Sequence, residues 1–429
     1  MIAGGVALLI FGATLYVIFT EKMNRTIAAM AGAALMLVSG MILGFYTEEQ
    51  AIETVDIQTI GLLLGMMILV ALLEPTGFFQ YLAVKAARIS KGRPVRLLIL
   101  LGSVTTLLSM FLDNVTTVIL IAPVTILISE ILGMNPAPLL MAEALLSDTG
   151  GIATLIGDPP NVLIASAAGL SFNDFLVYAL PIVAVAWITA LILLRYLFRR
   201  ELKIIPENAD AVLHLNPADA LDDWPTARRI LIVLGGAIFL FFFETKLGIS
   251  PAVIALSAAV VALLWTRPDI RKILEKIEWS VLAFFIALFV LVGGLEHAGI
   301  LGQLAGLIAR ISSANPVLLG VALLWLVAGL SAVVDNIPIT IALIPVIQGL
   351  EGSGINVAPL WWALAFGAGL GGNGTIIGST ANVVVASLSE RTRSPITSAM
   401  WNKRGLPVML ATLIVTTILY IFAFPYLAR

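Results

Sequence analysis

Residues 112–123 read LDNVTTVILIAP, and residues 334–345 read VDNIPITIALIP. In both, an Asp–Asn pair is followed by Thr, and a proline closes an apolar run. Asp113–Asn114 and Asp335–Asn336 lie 222 residues apart, as do Pro123 and Pro345, Glu74 and Glu296, and Gly77 and Gly299. Further on the offset becomes 221, relating Gly150–Gly151 to Gly371–Gly372, and Thr154, Gly157 and Asn161 to Thr375, Gly378 and Asn382. Self-similarity with a one-residue gap is the mark of a duplicated unit. The chain therefore divides into a first repeat, 1–198, and a second, 229–429. The connector between them, 199–228, carries six acidic residues between Glu201 and Asp223, and Pro206, Pro217 and Pro225. It reads as a soluble linker on the cytoplasmic side.

Composition sets the solvent. Of 429 residues, 60% are hydrophobic and 12% charged, against about 25% charged in soluble domains. Mean hydropathy is +1.06. Apolar runs near the roughly 20 residues of a membrane span recur from end to end, and the first, MIAGGVALLIFGATLYVIF, lacks the basic start and small-residue cleavage site of a signal peptide. A net charge of −2 gives no footing for nucleic acid, and the absence of cysteine excludes disulfides and thiolate metal sites. With only His214 and His297, a histidine metal site is not expected either, and no cofactor is called for.

Basic residues mark the cytoplasmic loops. Lys22 and Arg25 follow the first span, only acids occupy 45–56, and Lys85, Arg88, Lys91, Arg93 and Arg96 follow the third span. In the second repeat the bias inverts: 244–250 has only Lys246, 266–278 has Arg267, Arg271, Lys272 and Lys276, and 297–316 has only Arg310. Loops of opposite bias at equivalent places indicate an inverted-topology repeat, which requires an odd number of crossings per half. The spacing predicts an all-α polytopic protein of ten crossings. Each half has five crossings, one of them a discontinuous helix, plus a hairpin over 95–132 or its equivalent. Both termini lie outside the inner (plasma) membrane. The hairpin either crosses fully twice or is re-entrant with the Asp–Asn pair at its tip. The discontinuous helix is broken at SDTGGIATLIGDPPN (147–161) and AGLGGNGTIIGSTAN (368–382); irregular backbone at membrane depth is tolerated where it lines a cavity or is buried in protein.

These places carry the polar chemistry. A carboxylate inside a bilayer costs about 2.5–3.5 kcal/mol on insertion scales, so Asp113 and Asp335 need a function or a partner. A carboxylate held out of water also takes up a proton more readily. Asn114, Thr116 and Thr117 flank one pair, Asn336 and Thr340 the other. The breaks should supply free helix N-terminal N–H groups, the amides of Asn161, Asn373 and Asn382, and the hydroxyls of Thr154, Thr375 and Ser379. Asp148 and Asp158 have no acidic counterpart in the second repeat, where Gly369 and Ser379 stand. Either Asp148 handles protons, or it pairs with a basic residue or lies at the mouth. Glu143 is a weaker candidate. Glu74 and Glu296 read as gates or as interface residues, with the structural role favoured. His297 reads as solvent-facing. Met66–Met67, Phe241–Phe243 and Trp361–Trp362 read as lipid-facing or interfacial packing.

LDNVTTVILIAP, IGDPPNVLIASAAG (156–169), VDNIPITIALIP and GGNGTIIGSTANVVVA (371–386) together resemble the ion transporter superfamily, specifically its arsenite permease and pink-eyed-dilution branch. The resemblance covers nearly the whole chain. It implies a secondary carrier with paired hairpins, discontinuous helices and elevator-like or rocking alternating access. In related dicarboxylate carriers the hairpin tips resemble Ser-Asn-Thr; here Asp113 and Asp335 replace the Ser, and a fixed negative charge at each tip repels a dianion. The arsenite branch implies antiport of arsenite and antimonite hydroxides outward against protons. Without cysteine such a solute would be held through its hydroxyls. A separate ATPase subunit is left open, since the chain has no phosphate-binding Gly-Lys-Ser loop. A sodium–proton antiporter and another anion carrier of the superfamily are the competing expectations. An intramembrane aspartyl protease fails, because Leu155, Ile156 and Gly157 precede Asp158 where a Gly-X-Gly pattern is needed; no enzymatic activity is expected.

Overall fold

The computed structural model describes residues 2–20, 23–300, 315–351 and 355–428. Lys22 and Arg310, used above to orient loops, lie outside the described residues. Among the described residues the structure is helical with no strands.

The first repeat contains α1 (Ile2–Phe19), α2 (Arg25–Leu43), α3 (Ile57–Leu73), α4 (Phe78–Ser90), α5 (Pro94–Ser109), α6 (Asn114–Leu132), α7 (Ala137–Gly151), α8 (Pro159–Ala168) and α9 (Leu180–Leu197). The second contains α10 (Trp224–Phe241), α11 (Pro251–Thr266), α12 (Trp279–His297), α13 (Pro316–Ser331), α14 (Asn336–Glu351), α15 (Ala358–Gly372), α16 (Thr380–Ser389) and α17 (Ser398–Leu427). The starts of α10 to α12 fall at or near 222 residues after those of α1 to α3, and α13 to α16 follow α5 to α8 by 222 or 221. Helix α10 thus begins inside the stretch read as connector.

Among the described residues, seven helical stretches are long and apolar enough to cross a membrane: α2, α3, α6, the run 172–197 that ends in α9, α10, α12 and α17. The shorter apolar helices are α1, α11, the hairpin limbs α5, α13 and α14, and α16, which follows a break. Their ends follow from capping. Asn24 accepts from the N–H groups of Thr26 and Ile27 at the start of α2, and Gly44, at φ +72°, closes it. Asp56 caps α3 and Asp113 caps α6.

Residues 75–96, read as a loop, contain α4. Its Phe79, Ala83, Ala86, Ala87 and Ser90 are buried while Lys85 and Arg88 are exposed, the apolar stripe of a surface helix. That stripe lies on the hairpin limbs α5 and α6. The linker is pinned just ahead of this helix: the N–H groups of Asp222 and Asp223 donate to Thr76 O at 3.0 and 3.3 Å.

Packing between the halves is exchanged. α3 packs on α11 and α2 on α12; α6 packs on α16 and α8 on α14. At Gly65 an added Cβ would come within 2.6 Å of the Ala255 backbone, so α3 and α11 touch at their backbones, as small residues permit in membranes. Two groups of helices result. One contains α1–α3 and α10–α12; the other contains α5–α9 and α13–α17, with α4 on its flank. They meet chiefly where α12 touches α14 and α3 touches α8.

Trp361 and Trp362 are 3% and 2% exposed, so the expectation of lipid-facing packing fails for them. Trp362 is packed against Phe175, Tyr178 and Phe366. Phe241 is buried, whereas Phe242 and Phe243 face outward.

Candidate functional site

The hairpin turns at 110–113, between α5 and α6, and Asp113 sits at that turn. Its carboxylate accepts from Thr116 N at 2.8 Å and so caps the returning limb. In the second hairpin Asp335–Asn336 holds the equivalent place. The two tips meet on one cavity of about 210 Å³, walled by Asp113, Asn114, Thr116, Asp158, Asp335, Asn336 and Ser379. Halves related by an exchange of partners bring equivalent points together at their centre, and the tips are such points.

The cavity runs along α3 from Glu74 to Leu62, by way of Val70, Met67 and Met66. At 1.5 Å per residue that is about 18 Å. A second cavity starts at the other end of α3, lined by Asp56, Gln58, Thr59 and again Leu62, together with Glu244, Ser250 and Pro251. Leu62, 2% exposed, stands between the two.

Charge in the first cavity is unbalanced. Its wall holds Glu74, Asp113, Asp158, Glu278 and Asp335 against Arg25 and Lys276. Both cations are paired across the repeats: Lys276 Nζ with Glu74 at 2.8 Å, and Arg25 with Asp335. Thr380 also donates to Asp335 at 2.9 Å. Among the described residues, Asp113, Asp158 and Glu278 have no cationic partner within ion-pair distance. Asp335, which needed a function or a partner, finds its partner in an arginine that sequence reasoning used only to orient a loop. Glu74, read as a gate or an interface residue, lines the cavity and bonds Lys276.

Behind the cavity lies a buried polar layer. Asp148, 2% exposed, accepts from Asn114 Nδ2 at 2.7 Å and Ser379 Oγ at 3.0 Å, and its Oδ2 has no partner. It has no basic partner and does not lie at the mouth, which removes two of the readings made for it. Asn336 Nδ2 donates to Asp158 at 3.0 Å, and Asn373 Nδ2 to Thr149 at 3.0 Å. Each tip asparagine thus holds an aspartate of the broken helix in the first repeat.

Other expected ligands serve the backbone instead. Asn161 Nδ2 donates to Gly151 O and Thr154 O at 3.1 and 2.8 Å, and Asn382 Nδ2 to Gly372 O and Thr375 O at 2.9 and 3.0 Å. These amides satisfy the carbonyls that the helix breaks set free. Thr154 donates to Met110 O and Thr375 to Ala332 O, fastening each break to its hairpin. Thr340 donates to Asn336 O within α14. Thr117 is buried and its hydroxyl has no partner. The free N–H groups expected at α8 are not there: Pro159 and Pro160 occupy its first positions, and Asn161 N donates to Asp158 O.

Glu143, 0% exposed, accepts from Thr125 Oγ1 and holds α7 to the hairpin limb α6; its Oε2 has no partner. His297 is exposed as expected, with its ring 5.3 Å from that of Tyr46. No group of three His, Cys, Asp or Glu among the described residues could hold a metal ion.

Comparison with known proteins agrees with this architecture. Residues 15–367 match the model of the CitMHS family, described as citrate transporter. A 46 kDa membrane protein of Mycobacterium leprae is 38% identical over 413 residues, covering 94% of this chain and 95% of that one. The human P protein is 34% identical over 493 residues, covering 96% of this chain but 58% of its own longer sequence. Among solved structures, the YdaH transporter of Alcanivorax borkumensis superposes with a TM-score of 0.61 at 18% identity, covering 88% of this chain and 87% of that one. MtrF of Neisseria gonorrhoeae gives 0.59 at 11% identity, covering 87% and 82%. At these identities the structural likeness is one of fold. The family model and the relatives of matching length make this chain a membrane transporter of the CitMHS family, within the ion transporter superfamily.

Proposed function

We propose that the chain is a secondary active carrier that exchanges a small, uncharged polyhydroxy solute of the arsenite/antimonite type for protons, exporting the solute across the inner membrane. The convergence of both hairpin tips on one acid-rich cavity carries this reading. Among the described residues, Asp113, Asp158 and Glu278 lack a cationic partner, so the cavity favours protons, cations or neutral hydrogen-bonding solutes over anions. Arsenous acid, neutral at pH 7, offers three hydroxyls to Asp and Asn side chains. The repeats act as inverted units, entering from opposite faces, with the termini outside and the linker in the cytoplasm. Access is one-sided here: Arg25, Glu74 and Lys276 line the open end, on the side of the basic loops, and the Leu62 layer closes the other. This is the cytoplasm-open arm of an alternating-access cycle.

A sodium–proton exchanger is the second reading, because the same carboxylates serve a cation. Citrate, the solute in the family's description, would meet the same negative surplus unless its own charge were neutralised. Everted vesicles carrying a pH-sensitive dye separate the readings. Sodium arsenite at constant sodium should release the pH gradient; release by sodium chloride alone without arsenite movement establishes the sodium exchanger, and release by citrate alone overturns the metalloid reading.

A further inference from the structure

The two tip carboxylates are equivalent in the repeat but not in their surroundings. Asp335 receives Arg25 Nη1 and Thr380 Oγ1, and Arg25 reaches Thr380 as well, at 3.2 Å. By the repeat, Arg25, which opens α2, corresponds to Pro251, which opens α11, and Thr380 to Pro159. Neither can donate to Asp113. Asp113 is bonded by the first turn of its own helix, the N–H of Thr116 included, and faces the cavity with no counter-cation among the described residues.

Arg25 is also placed for this task. It opens α2, whose first turn is fixed by Asn24, and its guanidinium lies 5.6 Å from the centre of the Phe284 ring on α12. The arginine therefore belongs to the helix group of α1–α3 and α10–α12, and the aspartate to the hairpin of the other group. Its side chain is one-third exposed and that of Asp335 about one-fifth, so the pair borders the cavity. The remaining charges around it are Glu278 on α12, Asp158 in the break, Asp113 at the opposite tip, and the closed Lys276–Glu74 pair.

We infer that Arg25 is a tethered counter-cation for the second hairpin tip, a positioning and specificity-determining residue that keeps Asp335 neutralised in the cytoplasm-open state and leaves Asp113 as the tip carboxylate that loads. The inference rests on the reading of the tips as the transport site. It makes one tip, not two, available to a proton or cation per cycle. It also ties the second hairpin to α2 until the pair separates.

The test uses the full chain in proteoliposomes with an internal pH dye, driven in separate arms by sodium chloride and by sodium arsenite. The variants are Asp113→Asn, Asp335→Asn, Arg25→Gln, Arg25→Lys and the double Arg25→Gln/Asp335→Asn. Exchange should fall at least tenfold in Asp113→Asn. In Arg25→Gln the freed Asp335 should add one titrating group to the pH profile of exchange. The double variant, which leaves no unpaired charge behind, should return the profile to wild-type shape, and Arg25→Lys should keep it. A purely structural arginine would lower the amount of active protein without changing the shape of the profile. In this cysteine-free chain Arg25→Cys gives an independent check: a thiosulfonate reagent carrying an ammonium group should restore the wild-type profile, and its sulfonate analogue should not. An unchanged profile in Arg25→Gln, or a double variant that keeps the added group, overturns the role of Arg25 while the site stands. Wild-type exchange in both Asp→Asn variants overturns the site itself.

Discussion

Gly157 and Gly378 lie at the joint where a broken helix meets its hairpin, and alanine at either should loosen that joint. A Cβ on Gly157 would lie 2.6 Å from both Gly151 O and Ser109 O. On Gly378 it would lie 2.6 Å from Gly372 O and 2.9 Å from Ser331 O, the same neighbours one repeat later. Carbon–oxygen contacts are ordinarily about 3.3 Å or more, so the backbone must open by roughly 0.7 Å. Overpacking of this kind costs about 1–3 kcal/mol, which for a unit of roughly 200 residues lowers the unfolding midpoint by about 2–4 °C per kcal/mol. Transport should suffer more than stability. Ser109 ends α5 just before the Asp113 turn, and a displacement of about 1 Å in a reacting geometry costs on the order of a hundredfold. Thermal unfolding of detergent-purified protein, followed by tryptophan fluorescence, gives the first quantity; dye-based exchange in proteoliposomes gives the second. Gly235→Ala is the control, since an added Cβ there meets nothing within 4 Å and alanine favours a helix by up to about 1 kcal/mol. If Gly157→Ala and Gly378→Ala melted and transported like Gly235→Ala, the packed joint would not exist as described.

Asn161→Leu and Asn382→Leu should each leave two break carbonyls without a donor, costing about 1–3 kcal/mol per lost partner; the yield of monodisperse protein on size exclusion should drop for both, and a wild-type yield would contradict the bracing role. Gly77 and Gly92 have φ of +75° and +67°, and a Cβ on them would strike Ala220 O and Ala209 O at 2.0 and 2.3 Å. Gly77→Ala and Gly92→Ala should therefore lift the linker from α4, so protease cleavage within 204–223 should accelerate several-fold while α4 itself stays protected. Leu62→Ala should join the two cavities and produce a solute-independent proton leak in vesicles; tight vesicles would show that Leu62 is not the partition.

The recurrence at 222 and 221 was legible because glycine, proline and polar residues are few in an apolar chain, and the starts of α13 to α16 keep that offset from α5 to α8. The broken helices were legible for the same reason: GGIATLIGDPPN cannot continue a helix, and the break falls at 152–158. Arg25 on Asp335 was not legible. The partners are 310 positions apart, and the repeat gave no hint, because Pro251 opens α11 where a second arginine would stand. The signal present was the energy argument itself: a carboxylate at depth calls for a counter-charge, and Arg25 is among the few cations adjoining a span. Asn161 and Asn382 were found as important but assigned to solute, since composition does not tell an amide facing a cavity from one facing freed carbonyls. Trp361–Trp362 were misplaced because an apolar residue in a membrane protein carries the same signature whether it faces lipid or protein.

The account stands on a cavity that reaches the two hairpin tips from one face of the membrane only. The chain has no cysteine, so single thiols report access directly. Met67→Cys lies on the first cavity and Gln58→Cys on the second. A membrane-impermeant maleimide should label Met67→Cys only in everted vesicles and Gln58→Cys only in right-side-out ones, with arsenite slowing the first reaction. Labelling of both thiols from the same face would contradict the account.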